Sequence, residues 1–496
     1  MTGWRLNFWS AALVSLLVCG GLVFLLAWRP EQGRSGPLKV YCASALQQPV
    51  EEIAKEYEKL YQVPIRLEYG ASQNLVAGIE ISKIGDLYIP ADDSYIDLAR
   101  SKGLLDETME LAHMHPVIVV RKGNPKKIKT IDDVLKPNVV FAQADPDHAA
   151  VGKVTRDYFR KTGQWEALDR QTKSYQGNIQ LVANAVAVGT VDAGIVWDAT
   201  VAQMPELEAV KIPGFSDRSA RVTAGVLKTS ERPTAALRFA RYLSARDKGL
   251  QVFVRRGFAP AEGDEWADSP KLLFFGGAML LPAVDETIQS FAIREGVQIK
   301  TVYNGCGLLL SQMRVGEKPD AYLACDVSFL DPVRDRFGPS VELSRNKIVI
   351  LVEKGNPKNI KTLEDLARPG LALGLAHEEK STLGSLTRRI LEGAGLYDRV
   401  VKNRQTEAPT ADFLVNQMRV GALDAAIVYA SNASGAKPHL DTVPIDLSSA
   451  IAIQPFAVGR DSRYPNLMKR LLAALRSEES KQQFEKRDFL WGPVER

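Results

Sequence analysis

Two serines stand where a strand pattern gives way to a helix pattern. Ser44 lies in Cys42-Ala43-Ser44-Ala45-Leu46, and Ser72 lies in Tyr69-Gly70-Ala71-Ser72-Gln73-Asn74-Leu75. A helix start carries unpaired backbone N–H groups and a partial positive charge, so it can hold an anion. A hydroxyl placed there adds a donor without adding charge. The plainer role for either serine is to cap its helix. Two of them on consecutive strand ends of one sheet give weight to the anion reading.

A second set of reactive side chains lies further along. Cys306, in Asn304-Gly305-Cys306-Gly307-Leu308, also sits at a helix start, where a thiol pKa can fall and the thiolate persist. Cys325, in Ala324-Cys325-Asp326, ends the next strand. Four readings stay open for this pair: small inert buried residues, a reactive thiolate, a disulfide in an oxidising compartment, or ligands for a soft metal. Other chemistry-bearing residues promise less. His148 and His377 lie in corresponding loops and read as solvated. His113 and His115 share one face of a strand, but no carboxylate or cysteine joins them at metal-site spacing. Asp92-Asp93 and Glu378-Glu379 read as solvated doublets, and Lys122-Gly123-Asn124-Pro125 is a turn without P-loop spacing. There is no nucleophile elbow, zinc pattern or kinase signature. A binding protein without a cofactor is expected rather than an enzyme.

The elements that must position these residues are written twice. Lys122 to Pro137 (KGNPKKIKTIDDVLKP) returns as Lys354 to Pro369 (KGNPKNIKTLEDLARP), an offset of 354 − 122 = 232 residues. The same offset carries Val188 to Ala199 onto Val420 to Ser431, and an offset of 234 carries Gly85 to Tyr88 onto Pro319 to Tyr322. Solenoid repeats run roughly 20–50 residues, so this is a duplicated domain. In the first copy, Leu38 to Ala43, Ile65 to Tyr69, Asp86 to Pro90, Val117 to Val120, Val139 to Ala142 and Ala193 to Trp197 read as strands. Helical stripes separate them at Pro49 to Tyr61, Leu75 to Ile81, Gly152 to Lys161 and Ile179 to Val188. The second copy repeats the order, with strands at Leu272 to Phe275, Ile299 to Tyr303, Ala321 to Ala324, Ile348 to Val352, Leu371 to Leu375 and Ala425 to Tyr429. The alternation predicts α/β lobes with mostly parallel sheets, whose ligands sit beyond the carboxyl ends of the strands.

The totals narrow the class. Lys and Arg number 63 against 59 Asp and Glu, a formal charge of +4 over 496 residues, which provides no basic stripe for nucleic acid. Four cysteines without C-x-x-C spacing are too few for a disulfide scaffold. Phe8 to Trp28 is uncharged and long enough to cross a ~30 Å hydrocarbon layer, with Trp4, Trp9 and Trp28 near its ends. An uncleaved membrane anchor is favoured over a cleaved leader, followed by a tether to residue 37.

The order of motifs resembles the molybdate-binding extracytoplasmic proteins of ATP-driven transporters. Strand–Ala-Ser–helix is followed by Gly70-Ala71-Ser72 with Leu75, then Gly85-Asp86-Leu87-Tyr88-Ile89 with Ala91-Asp92, then Asp145 to Gly152, then Gly194-Ile195-Val196-Trp197. The resemblance implies two tandem type II periplasmic-binding-protein-like domains, each of two α/β lobes: residues 38–262, a linker at 263–270, and a divergent copy at 271–496. It implies an oxyanion held between lobes by hydroxyls and backbone N–H groups. Carried over, Ser72 matches a family serine, and Ala45 occupies the strict place of the other with Ser44 one residue before. Val151 and Ile179 match N–H donors, and Trp197 replaces a tyrosine. The matching candidates in the second copy are Cys306, Thr382, Leu383, Ala411 and Tyr429. The implied partners are molybdate, tungstate or a similar oxyanion, a transporter permease, and the membrane through the N-terminal segment. The alternative is a membrane-tethered sensor or interaction module with a degraded second site.

Overall fold

The computed structural model describes residues 36–492. The apolar stretch Phe8 to Trp28, read as an anchor, lies outside the described residues; among those described, no helix is long and apolar enough to cross a membrane.

The first half builds two sheets. Leu38–Ala43 is nearly all apolar and buried because it is central, pairing in parallel with Ile65–Gly70 on one side and Leu87–Ile89 on the other. The helix after it, Gln47–Tyr61, buries Val50, Ile53, Ala54 and Tyr57 along one stripe and ends at Gln62 in the left-handed region. The six-stranded sheet is completed by Ala220–Leu227, Leu105–Met114 and Ala259–Pro260. The second, five-stranded sheet contains Thr172–Gln176, Phe141–Ala144, Ala193–Trp197, Pro116–Arg121 and Leu207–Val210.

Both sheets are mixed, where mostly parallel ones were expected. Ala220–Leu227 runs antiparallel to both its neighbours, and Pro116–Arg121 runs antiparallel to Ala193–Trp197 and Leu207–Val210. The cause is the double crossing between lobes. The chain leaves the first lobe through Leu105–Met114 and comes back through Ala220–Leu227, so each lobe receives a strand running against its βαβ units.

The second half repeats this plan with one difference. Its crossing strand is continuous, Val341–Glu353, and pairs with Ile451–Val458 and Leu490–Trp491 along one part and with Ala425–Tyr429 and Leu440–Pro444 along the other. The result is one ten-stranded sheet spanning both lobes. In the first half the ladder breaks at His115-Pro116. Proline has no N–H to donate, and the N–H of His115 goes to Asp198 Oδ1 at 3.0 Å.

The halves are joined by a polar, buried contact rather than by a loose hinge. Glu295 of the second half is almost fully enclosed and receives Arg241 Nη1 of the first half at 3.0 Å and Arg470 Nε at 2.6 Å. Arg294 adds a bond to Glu107 Oε1 at 2.8 Å. Residues 263–270 are irregular but anchored: Asp264 accepts the N–H groups of Asn466 and Leu467 at a helix start, at 2.8 and 2.9 Å, and the Trp266 indole donates to Tyr61 OH at 2.8 Å. Burial pushes the Glu295 carboxyl up, but Arg470 and Arg241 outweigh it and hold it below its ordinary value. A carboxyl lowered in the folded state stabilises above the ordinary carboxylate range and loses that contribution as pH falls below it. Glu295→Ala strands two buried guanidinium groups and is expected to lower the unfolding free energy by about 3–5 kcal/mol. Urea denaturation at neutral pH checks this, and the difference from wild type should shrink in acid.

Candidate functional site

Each half closes its two lobes over one small cavity. In the first half the cavity leaves about 20 Å³ open to the centre of a water molecule and is lined by Ser44, Ala45, Ser72, Val151, Ile179 and Trp197 together with Asn178 and small residues. All six residues singled out from the sequence are thus brought together. They come from both sides of the cleft. Ser44–Leu46 is a 3-10 turn that ends the central strand, and Ser72 opens the helix Ser72–Ser82. From the other lobe come Ala150–Lys161, Ile179–Ala187 and the end of the strand Ala193–Trp197.

Neither serine caps a helix. The residue capping Ser72–Ser82 is Ala71, with no side-chain cap bond. The Ser72 hydroxyl instead accepts the Ala91 N–H at 3.2 Å, and its carbonyl accepts Tyr88 OH at 2.8 Å, so the end of the strand Leu87–Ile89 and the residues after it are pinned to the helix start. An N–H taken up by Ser72 Oγ leaves the hydroxyl hydrogen free to point elsewhere. Val151 and Ile179 lie in the first turns of their helices, where the N–H has no intrahelical acceptor. Gly152 lets the first of these helices come close enough. A Cβ there would overlap the Ala144 carbonyl oxygen and lie 2.8 Å from Asp145 O. No charged side chain lines the cavity. The cleft is shut by bonds between lobes, Gln73 N–H to His148 O at 3.3 Å and Lys153 Nζ to Ser94 Oγ at 2.9 Å.

The second cavity has the same placement and different chemistry. Cys306, Thr382, Leu383, Ala411 and Tyr429 all line it, together with Met279, Cys325, Asp412 and Asn432. Again about 20 Å³ is open to a water centre. The Cys325 N–H donates to Cys306 Sγ at 3.2 Å, and both thiols are free. Burial pushes the Cys306 thiol up, but the adjoining Cys325 thiol and N–H, with the Thr382 and Tyr322 hydroxyls close by, outweigh it and bring it down to about 7. The Cys325 thiol moves well up, because it donates a hydrogen bond to Cys306 and burial adds to the effect. Thr382 Oγ1 lies near enough to favour the Cys306 thiolate yet has no well-aligned partner, and Tyr429 OH has none either.

A family model for the bacterial extracellular solute-binding protein matches residues 38–259 and again residues 272–490. The chain belongs to that family, twice over. Among curated relatives, the molybdate-binding protein ModA of Mycobacterium tuberculosis (strain H37Rv) is 26% identical over 207 residues, which is 41% of this chain and 77% of the relative. The molybdate-binding protein ModA of Escherichia coli (strain K12) is 24% identical over 264 residues, 51% of this chain and 97% of the relative. Among solved structures, the periplasmic molybdate-binding protein of Azotobacter vinelandii aligns at a TM-score of 0.40 and 16% identity, over 45% of this chain and 100% of that one. Each of the two curated relatives therefore spans about half of this tandem solute-binding protein.

The remaining candidates hold the solute-binding fold together. His148 Nδ1 is 3.1 Å from Asp145 Oδ2, and His148 is not among the residues lining the cavity. His377 Nδ1 accepts the N–H groups of Glu379 and Lys380 at 3.2 and 3.3 Å, shaping its loop. His115 Nδ1 meets Asp198 Oδ2, and His113 Nε2 meets Glu110 Oε1 at 2.9 Å. Asp92 departs from the solvated doublet expected of it. It is buried and accepts the Ser94 N–H at 3.0 Å at a helix start, while Asp93 pairs with Arg221. Asn178 is the polar lining residue of the first cavity that was missed in the sequence. Its side chain accepts the Leu181 N–H at 3.1 Å, and an asparagine just before a helical stripe is the signal that could have found it.

The lowered Cys306 thiol has a direct optical consequence. Ultraviolet thiolate absorbance of the reduced chain should rise in a step centred at about pH 7. Cys306→Ser should remove that step, and the Cys325 thiol, no longer raised by Cys306, should ionise at lower pH than in the wild type.

Proposed function

We propose that the first cleft binds a compact tetrahedral oxyanion of the molybdate and tungstate class and that the protein delivers it, outside the cytoplasm, to an ATP-driven transporter. The observation that carries this reading is a small cavity between the lobes with no charged side chain, lined from both lobes by hydroxyl-bearing residues and helix starts. Neutral donors suit a captured dianion. Each hydrogen bond to a charged acceptor is worth about 1.5–3 kcal/mol when water is excluded, and the set is dismantled when the lobes part, because half the donors travel with each lobe. A fixed arginine would hold the anion in the open state as well. The size of the cavity favours a small rounded guest over an extended one. The names of the curated relatives support molybdate as the first ligand to try.

Titration calorimetry and thermal unfolding with molybdate, tungstate, sulfate and phosphate test the reading. Molybdate and tungstate are expected to release heat and raise the unfolding temperature. Silence from all four anions would reject it. Ser72→Ala should cost about 1.5–3 kcal/mol of binding, the loss of one charge-assisted bond.

A further inference from the structure

The two cavities differ at matched positions in one consistent way. At an offset of 234 residues, Ala45, Ser72 and Ala91 correspond to Met279, Cys306 and Cys325 (279 − 45, 306 − 72 and 325 − 91). All three first-half residues line the first cavity, and all three sulfur-bearing counterparts line the second. They follow the ends of three separate strands. The whole chain has 4 cysteines and 8 methionines among 496 residues, so three sulfurs at three matched lining positions are a marked concentration. We propose that the second cavity is a soft-metal site that takes one copper(I) ion through Cys306, Cys325 and Met279.

The surroundings fit a soft cation. Cys306 is 0% exposed, and Cys325 and Met279 are each 5% exposed. Gly277 keeps the space between the thiols open: a Cβ there would overlap Cys325 Sγ and lie 3.3 Å from Cys306 Sγ. The matched hydrogen bond, main-chain N–H to Ser72 Oγ in one half and to Cys306 Sγ in the other, is 3.2 Å in both. The divergence has therefore changed the element and kept the frame. Thr382 Oγ1 and Tyr429 OH line the cavity, are buried, and lack hydrogen-bond partners among the described residues.

Charge points the same way. The first cavity has no charged lining residue, whereas the second includes Asp412. A carboxylate beside two thiols repels a dianion and attracts a cation. Thiolate and thioether sulfur select copper(I). Zinc prefers a tetrahedral set drawn from cysteine, histidine and carboxylate, and no cluster of three such residues occurs among the described residues. Binding is an exchange without electron transfer. Two Cu–S thiolate bonds form, each thiol that is still protonated releases its proton to solvent, Met279 donates a lone pair, and copper stays monovalent.

This assignment does not rest on the oxyanion reading, and the two can fail separately. The test uses the full chain, reduced, with its thiols counted, and titrated anaerobically with copper(I) against a chromogenic copper(I) chelator. One ion per chain should be withheld from the chelator, with a near-ultraviolet sulfur-to-copper band. Cys306→Ser and Cys325→Ser should each abolish retention, and Met279→Ala should weaken it about tenfold. Cys42→Ser, in the first half and outside both cavities, should leave it unchanged. Because Cys306→Ser restores the residue type of the first half, its unfolding temperature checks that the fold is kept. No copper withheld by the fully reduced wild type would overturn the assignment, as would retention that survives both cysteine substitutions.

Discussion

Backbone N–H groups left unpaired at helix starts must find acceptors, and in each half of this protein several of them open onto one space too small for bulk water. That requirement organises the rest. It demands that helices from both lobes abut the same strand ends, which needs residues without bulk at the point of approach, as at Gly152 and Gly384, where a Cβ would run into the carbonyl oxygens of Ala144 and Ala376. It demands a loop pinned close to the opposing helix, provided by the Ala91 N–H on Ser72 and the Cys325 N–H on Cys306. It also explains why no charged side chain lines the first cavity: the helix starts already supply the positive potential.

Duplication released the second copy from that arrangement without dismantling its frame. Strand order around the cleft, the Tyr88 and Tyr322 positions and the loop-to-helix hydrogen bond all persist. What changed is the lining: sulfur for oxygen and methyl, plus the carboxylate of Asp412. The crossing strand changed too, from one interrupted at His115-Pro116 to the unbroken Val341–Glu353. A continuous strand couples the two lobes of the second half more directly than a broken one does. The halves are held to each other through the buried Arg241–Glu295–Arg470 cluster and the anchored segment at Asp264 and Trp266. Such a contact tolerates little rearrangement, since removing any one charge strands the others.

Much of this could be read in the chain. The strands Leu38–Ala43 and Ala193–Trp197 were legible because they are continuous apolar runs bounded by turns. The antiparallel strands Leu105–Met114 and Ala220–Leu227 were not, because exposed polar residues interrupt them and their partners lie more than a hundred residues away. The serines stood out as residues at helix starts, but a capping serine looks the same in sequence. Only the Ala91 N–H reaching Ser72 Oγ, and the absence of a cap bond, separate the two roles. Asp92 was misplaced for a related reason: a doublet of aspartates on a loop signals solvent, and its burial comes from the elements that fold over it.

The amino-acid order by itself determined the doubled α/β plan, because motifs repeated at one offset and short-period hydrophobic patterns are properties of the chain alone. It also determined which residue types stand at each strand end. The tertiary structure alone decided that Ser44, Ser72, Val151, Ile179 and Trp197 share one cavity, and that Met279, Cys306 and Cys325 share another. The reason is that a cleft lies between two lobes whose strands interleave along the sequence. The distances that matter across it are set by long-range packing, which no local pattern encodes.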